Sequence, residues 1–197
     1  MNDRQSVFLS SRFPVLCGIK HSGKSSCGRQ LAEKLGMPFL DLDSQIETLY
    51  REQYGTAASC REIYCRHGAA VFRTLETEAA AFAARNRRFV TAAGGGLCDN
   101  PQAWTVLKEA GACFLFLDEP EERLFKRITA GGLPPFLQNG DPKALFSTLY
   151  AKRRTAYLSL CDAVLSPDYP DSTPEKRTER IISILKNHPI QEESHER

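Results

Sequence analysis

Eight residues do most to limit what this chain can fold into: Gly18 to Ser25, reading GIKHSGKS, fit the pattern G-x-x-x-x-G-K-[ST]. They follow a strand-length apolar run, FPVLC, and precede a helical pattern in which Cys27, Leu31 and Leu35 recur every four residues, with Gly36 placed to end it. Strand, glycine-rich turn and helix in that order make a phosphate cradle. Backbone N–H groups close around phosphate oxygens, the helix N-terminus adds its positive end, Lys24 reaches the β- and γ-phosphates, and the Ser25 hydroxyl ligates Mg²⁺. Gly18, Ser22, Gly23, Lys24, Ser25 and Ser26 are therefore expected at a nucleotide. The plainer alternative, a turn that happens to carry a surface lysine, does not explain the flanking strand and helix. Ile19, Lys20 and His21 fill the variable positions, and His21 reads as a bystander.

Beyond this loop, PFLDLD, RFVTAAGGG, ACFLFLDEP and a short DAVL each lead into a helical pattern. Alternating strand and helix signals predict an α/β domain of three layers, a parallel sheet with helices on both faces. The runs are nearly continuous in apolar residues because such strands are buried on both sides. At 197 residues a single domain spanning 1–197 is expected. Lys+Arg 26 against Asp+Glu 24 leaves a net charge of +2, without the basic excess of a nucleic-acid binder. The opening stretch MNDRQSVFLSSRFPVLCGIK is too short and interrupted in its apolar run to cross a membrane, and it lacks a small-residue cleavage site. The seven cysteines include no CxxC pair, and Cys17, Cys113 and Cys161 stand in apolar surroundings, so reduced core thiols and a cytoplasmic location are expected. The final stretch, NHPIQEESHER over about 187–197, is polar and aperiodic and reads as a disordered tail.

Phosphate binding alone does not separate a switch, an ATPase and a small-molecule kinase. FLDLDSQIE places Asp41 and Asp43 two apart at the carboxyl end of the second strand, where ligands bind in open α/β sheets. One carboxylate there can hold Mg²⁺ through water, and a second can accept the proton of an attacking hydroxyl. Both also suit the N-cap of the helix SQIETLY. In VFRTLETE, Arg73 and Glu76 are helical neighbours, so the carboxylate can orient the guanidinium toward an anionic substrate, although taken alone a surface ion pair is the favoured reading. Gly94, Gly95 and Gly96 follow the third strand and offer bare backbone amides at the same sheet edge. AKRRTAYL adds Arg153 and Arg154 on a late helix.

The ordered set GIKHSGKS, FLDLDSQIE, FRTLE, GGG and KRRTAY resembles the shikimate kinase family across almost the whole chain. That resemblance implies a fold like the nucleoside monophosphate kinases, with a five-stranded parallel sheet in order 2-3-1-4-5, and phosphorylation of the 3-hydroxyl of shikimate by ATP with Mg²⁺. It also implies a role for each matching residue. Lys24 is catalytic and Ser25 and Asp41 serve the metal, Asp41 through water. Asp43 binds substrate hydroxyls and is the candidate base. Arg73 and Arg153 clamp the substrate carboxylate, with Glu76 positioning Arg73, and the amides of Gly94, Gly95 and Gly96 bind ring hydroxyls. Pro174, in DSTPEK, matches a loop lying against adenine. A monomer acting on a small molecule is expected.

The family's mobile lid carries an Arg-Pro-Leu-Leu type motif whose arginine reaches the ATP phosphates, and here the match fails. The segment reads Gly132-Leu133-Pro134-Pro135-Phe136-Leu137, with leucine in the arginine's place. A cation at a developing phosphoryl charge lowers the barrier by several kcal/mol, so something must replace it. Lys126 and Arg127, on the preceding helix, match a region that sends a basic residue toward the nucleotide, and Arg127 is the catalytic candidate. The lid is expected over about 126–142, with Gly131 and Gly132 as its hinge. Three readings stay open: a shikimate kinase with a rewired lid, a kinase of the same fold for another small hydroxylated acid, and an ATPase or nucleotide sensor using Asp118-Glu119 in the manner of a Walker B strand. Asp118-Glu119-Pro120 can equally open the helix EERLFKRI.

Overall fold

Alternation along two strands explains how one sheet supports a core on each face. In the computed structural model, which describes residues 12–130, 132–166 and 173–187, β1 (Phe13–Cys17) sends Phe13, Val15 and Cys17 into one apolar cluster and Leu16 into the other. Its neighbour β4 (Ala112–Leu117) divides likewise, Phe114 and Phe116 on one side, Cys113, Leu115 and Leu117 on the other. Both strands are buried throughout, which is why their sequences read as unbroken apolar runs.

β2 (Phe39–Asp41), β3 (Val90–Ala92) and β5 (Ala163–Leu165) complete a five-stranded sheet in order β2-β3-β1-β4-β5, with every pairing parallel. On one face α1 (Lys24–Leu35) buries Cys27 and Leu31 beside Ile181 and Leu185 of α7 (Pro174–Asn187). On the other, Trp104 of α4 (Pro101–Glu109) stacks on Phe114 with centroids 3.8 Å apart, and Tyr157 of α6 (Pro142–Leu160) stacks on Phe116 at 5.1 Å. Between β2 and β3 the chain inserts two helices, α2 (Leu42–Tyr54), which carries SQIETLY, and α3 (Cys60–Arg85), which carries VFRTLETE. Ser59 and Glu62 form a capping box at the start of α3, and Gly68, at φ 75, kinks it.

The lid region follows α5 (Glu121–Thr129). Gly131 and the tail beyond residue 187 lie outside the described residues, as do residues 1–11, so the hinge is described only at Gly132. Pro135–Leu137 form a 3-10 turn whose two ends differ in kind. Leu137 is fully buried in the cluster holding Leu124, Ile128 and Phe146, whereas Phe136 is 48% exposed. Burying one leucine is worth about 1.5–3 kcal/mol, enough to pin the segment at Leu137 while its tip faces water.

Candidate active site

The phosphate loop turns where its glycines are. Gly23 caps α1 at φ 91, a left-handed conformation costly to other residues, and Gly18 has no room for a side chain: a β-carbon there would stand 2.7 Å from Ser22 Oγ and 2.9 Å from Leu117 O. His21 adopts φ 66 to complete the turn and contributes its carbonyl rather than its ring, as Arg127 shows below. Lys24 opens α1 and folds back on the loop, donating from Nζ to Ile19 O at 3.1 Å. Burial lowers its pKa to about 8 despite the opposing pull of Asp43, Cys17 and Asp41. Ser22 Oγ is wholly buried without a hydrogen-bond partner among the described residues. A cationic lysine withdrawn from water and an orphaned hydroxyl in a cradle of backbone N–H groups are what an anionic phosphate would satisfy. Ser26 is exposed one residue further along α1.

Ser25 Oγ donates to Asp41 Oδ2 at 2.7 Å, so the two metal candidates are joined. These are hard oxygen donors in the small number that suits Mg²⁺, which keeps most of its shell from water and phosphate.

The second strand ends two residues earlier than its sequence pattern suggests. Asp41 is the last residue of β2 and the N-cap of α2, its Oδ1 accepting from Asp43 N at 3.1 Å. Asp43 therefore reaches the sheet edge from the first helical turn and does not share a strand face with Asp41. Its carboxylate stands against the glycine run, with Oδ1 2.7 Å from where a β-carbon on Gly94 would lie and Glu76 Oε1 3.5 Å from the same point. Removal from water, followed by the charge of Asp41, raises the Asp43 pKa, while Lys24 and Lys20 pull it down.

Gly95 backs directly onto the phosphate loop: a β-carbon there would meet Lys20 N at 2.8 Å. Gly96 lies under Arg153, where a β-carbon would sit 2.9 Å from Nη2. The three glycines thus let the acceptor pocket, the phosphate loop and an arginine close on one another.

The partner of Arg73 is not Glu76. Its Nη1 donates to the backbone oxygen of Asp99, and Glu76 Oε2 instead accepts from Asn100 Nδ2 at 2.9 Å. Asn100 also caps α4, so a neutral amide anchored on the glycine loop takes the hydrogen bond and leaves Glu76 to act on Arg73 through space. Burial raises the Glu76 pKa, and the Asn100 bond opposes it. Asp99, which sequence reasoning passed over, gathers both arginines: its carbonyl holds Arg73 and its carboxylate takes Arg153 (Nε 2.9 Å) and Lys152 (3.0 Å). The adjoining Asn-Pro N-cap signal at Asn100-Pro101 was its available marker. Arg154 turns away to a bidentate pair with Asp118, at 2.8 to 3.1 Å. Asp118 is thereby neutralised, and α5 begins at Glu121 with Pro120 as N-cap.

Both basic candidates before the lid, Lys126 and Arg127, are exposed, and Arg127 reaches the phosphate loop, donating from Nη1 to His21 O at 3.0 Å. Pro174 opens α7, but its side chain and residues 167–172 lie outside the described residues.

A nucleotide cradle and a pocket of carboxylates and arginines share the carboxyl edge of one parallel sheet, an architecture that defines a P-loop kinase of a small anionic acceptor. The sequence model of the shikimate kinase family matches residues 20–186, and this chain belongs to that family. It is 34% identical to the shikimate kinase of Synechococcus elongatus over 174 residues, 87% of each chain. It is 33% identical to that of Caldicellulosiruptor bescii over 170 residues, 86% of this chain and 93% of the other. Among solved structures, shikimate kinase from Acinetobacter baumannii in complex with shikimate aligns with a TM-score of 0.77 at 25% identity, covering 92% of this chain and 96% of that one.

Proposed function

We propose that this chain transfers the γ-phosphoryl group of ATP to the 3-hydroxyl of shikimate, as a single cytoplasmic domain. The observation that carries the reading is the convergence of Arg73 and Arg153 on Asp99 beside the bare Gly94–Gly96 run, across from Asp43. Two guanidiniums suit a ring carboxylate, and glycine backbone suits ring hydroxyls.

Asp43, with its raised pKa, receives the hydroxyl proton as the new P–O bond forms. Lys24 and Arg127, held on the phosphate loop, lie against the charge that develops on the transferred group. Ser25 and Asp41 would hold Mg²⁺, which supplies charge neutralisation to the bound phosphates. No helix among the described residues is long and apolar enough to cross a membrane, and all seven cysteines are free.

A coupled ADP-release assay with and without shikimate tests the reading. Shikimate-dependent release is expected. Equal release in its absence would favour an ATPase. Release with another small hydroxy acid alone would favour a related kinase.

A further inference from the structure

Glu119 is the most confined charged side chain that the mechanism above leaves unused. It follows β4 at 2% exposure, and its two oxygens are shared among three arginines on two helices. Oε1 bonds Arg177 of α7, while Oε2 lies 3.6 Å from Arg123 and 3.7 Å from Arg127, both of α5. A carboxylate withdrawn from water persists only where cations compensate it. Here Arg177 supplies a hydrogen bond to Oε1, and Arg123 and Arg127 lie within ion-pair range of Oε2.

Two of these three arginines reach the phosphate loop. Arg127 donates to His21 O at 3.0 Å, and Arg177 Nη1 approaches Ser22 O at 3.5 Å. The same Nη1 stands 3.8 Å from where a β-carbon on Gly23 would lie, so it faces the glycine whose following residue is Lys24. Arg177 belongs to a helix some 150 residues downstream, yet only 16% of its side chain is exposed. A guanidinium fixed in this way keeps its charge beside the phosphate loop without waiting for a lid to close.

We propose that Arg177, gathered with Arg127 by Glu119, binds the nucleotide's phosphates and supplies the cation that Leu133 leaves out of the lid. Glu119 is a positioning residue that acts through the arginines. The inference rests on ATP being the phosphate donor, as proposed above, but not on the identity of the acceptor.

Isothermal titration with Mg²⁺-ADP, and separately with shikimate, tests it on the wild type, Arg177→Ala, Arg177→Lys and Glu119→Gln. Arg177→Ala is expected to weaken ADP binding tenfold or more and to leave shikimate binding within twofold, with Arg177→Lys recovering part of the loss. Glu119→Gln is expected to weaken ADP severalfold alone and to add little in the Arg177→Ala background, because its effect runs through that side chain. Arg177→Ala binding ADP within twofold of wild type, with only its melting temperature lowered, would reduce Arg177 to a fastener of α7 and overturn the proposal. Should Arg177→Ala fail to fold, Arg177→Gln carries the same comparison. Wild type that binds no ADP overturns both readings, whereas ADP binding without shikimate-dependent turnover overturns only the acceptor assignment.

Discussion

The Arg153 guanidinium rests on the bare Cα of Gly96, so near that a β-carbon would stand 2.9 Å from Nη2. Gly95 is hemmed in by something stiffer, the backbone nitrogen of Lys20 at 2.8 Å. The two positions should therefore fail differently. Gly96→Ala displaces the end of a flexible side chain, so the fold is expected to survive with its melting temperature nearly unchanged. The Michaelis constant for shikimate should rise about tenfold, the scale of one weakened charge-assisted hydrogen bond. Gly95→Ala pushes the phosphate loop itself and should weaken nucleotide and shikimate together. Steady-state kinetics with each substrate varied in turn separates the two, and equal effects from both substitutions would show that the glycine run is not what divides the sites.

Asp99 holds one arginine by its carbonyl and the other by its carboxylate, so a side-chain substitution separates them. Burial alone would raise the Asp99 pKa, but Lys152 and Arg153 outweigh it and hold the carboxyl below its ordinary value. Asp99→Asn keeps the carbonyl for Arg73 and removes the charge facing Arg153 and Lys152. Shikimate affinity is expected to fall about tenfold and ADP affinity to stay within twofold. Unchanged shikimate affinity would mean that Arg153 is held well enough by Gly96 and its own helix.

What the sequence made legible is local or periodic. The phosphate loop is eight contiguous residues, and β1 and β4 announce themselves by unbroken apolarity because water touches neither face. The Asp41–Asp43 spacing was visible, but the strand ends where Asp41 accepts a backbone N–H from Asp43, an event that no period-two pattern records. Helical adjacency put Glu76 beside Arg73, and the competing donor, Asn100, lies 24 residues away on another loop. The Glu119–Arg177 pair spans 58 residues and exists only because α7 passes over the carboxyl end of β4, so it is a consequence of topology and not of sequence pattern.

The lid's two ends should respond separately to truncation. Leu137 is fully buried with Phe146, and Leu137→Ala should cost about 2–5 kcal/mol of stability through lost burial and the cavity left behind. Phe136 is mostly in water, and Phe136→Ala should change stability by no more than about 0.5 kcal/mol. Urea unfolding of both variants checks the contrast. Equal costs would mean that the turn Pro135–Leu137 is not anchored through Leu137.

Proton affinities at the two ends of the reaction predict a bell-shaped pH profile with identifiable limbs. Asp43 accepts a proton only when ionised, and its pKa is raised, so kcat/KM should fall as pH drops through a value above that of an ordinary aspartate. Lys24 attracts phosphate only when protonated, and its pKa in the free enzyme is lowered to about 8, so ADP affinity should fall as pH rises through that region. The limbs are coupled, because the Asp43 charge is the largest influence holding the Lys24 pKa up against burial. Asp43→Asn removes that charge. The variant is expected to lose turnover by a factor of 10² or more, in the range contributed by a general base, while still binding ADP near neutral pH. Its alkaline limb for ADP binding should move below that of wild type, since a lysine without its neighbouring anion releases its proton more easily. A limb that stays in place would assign the pH dependence of nucleotide binding to a group other than Lys24.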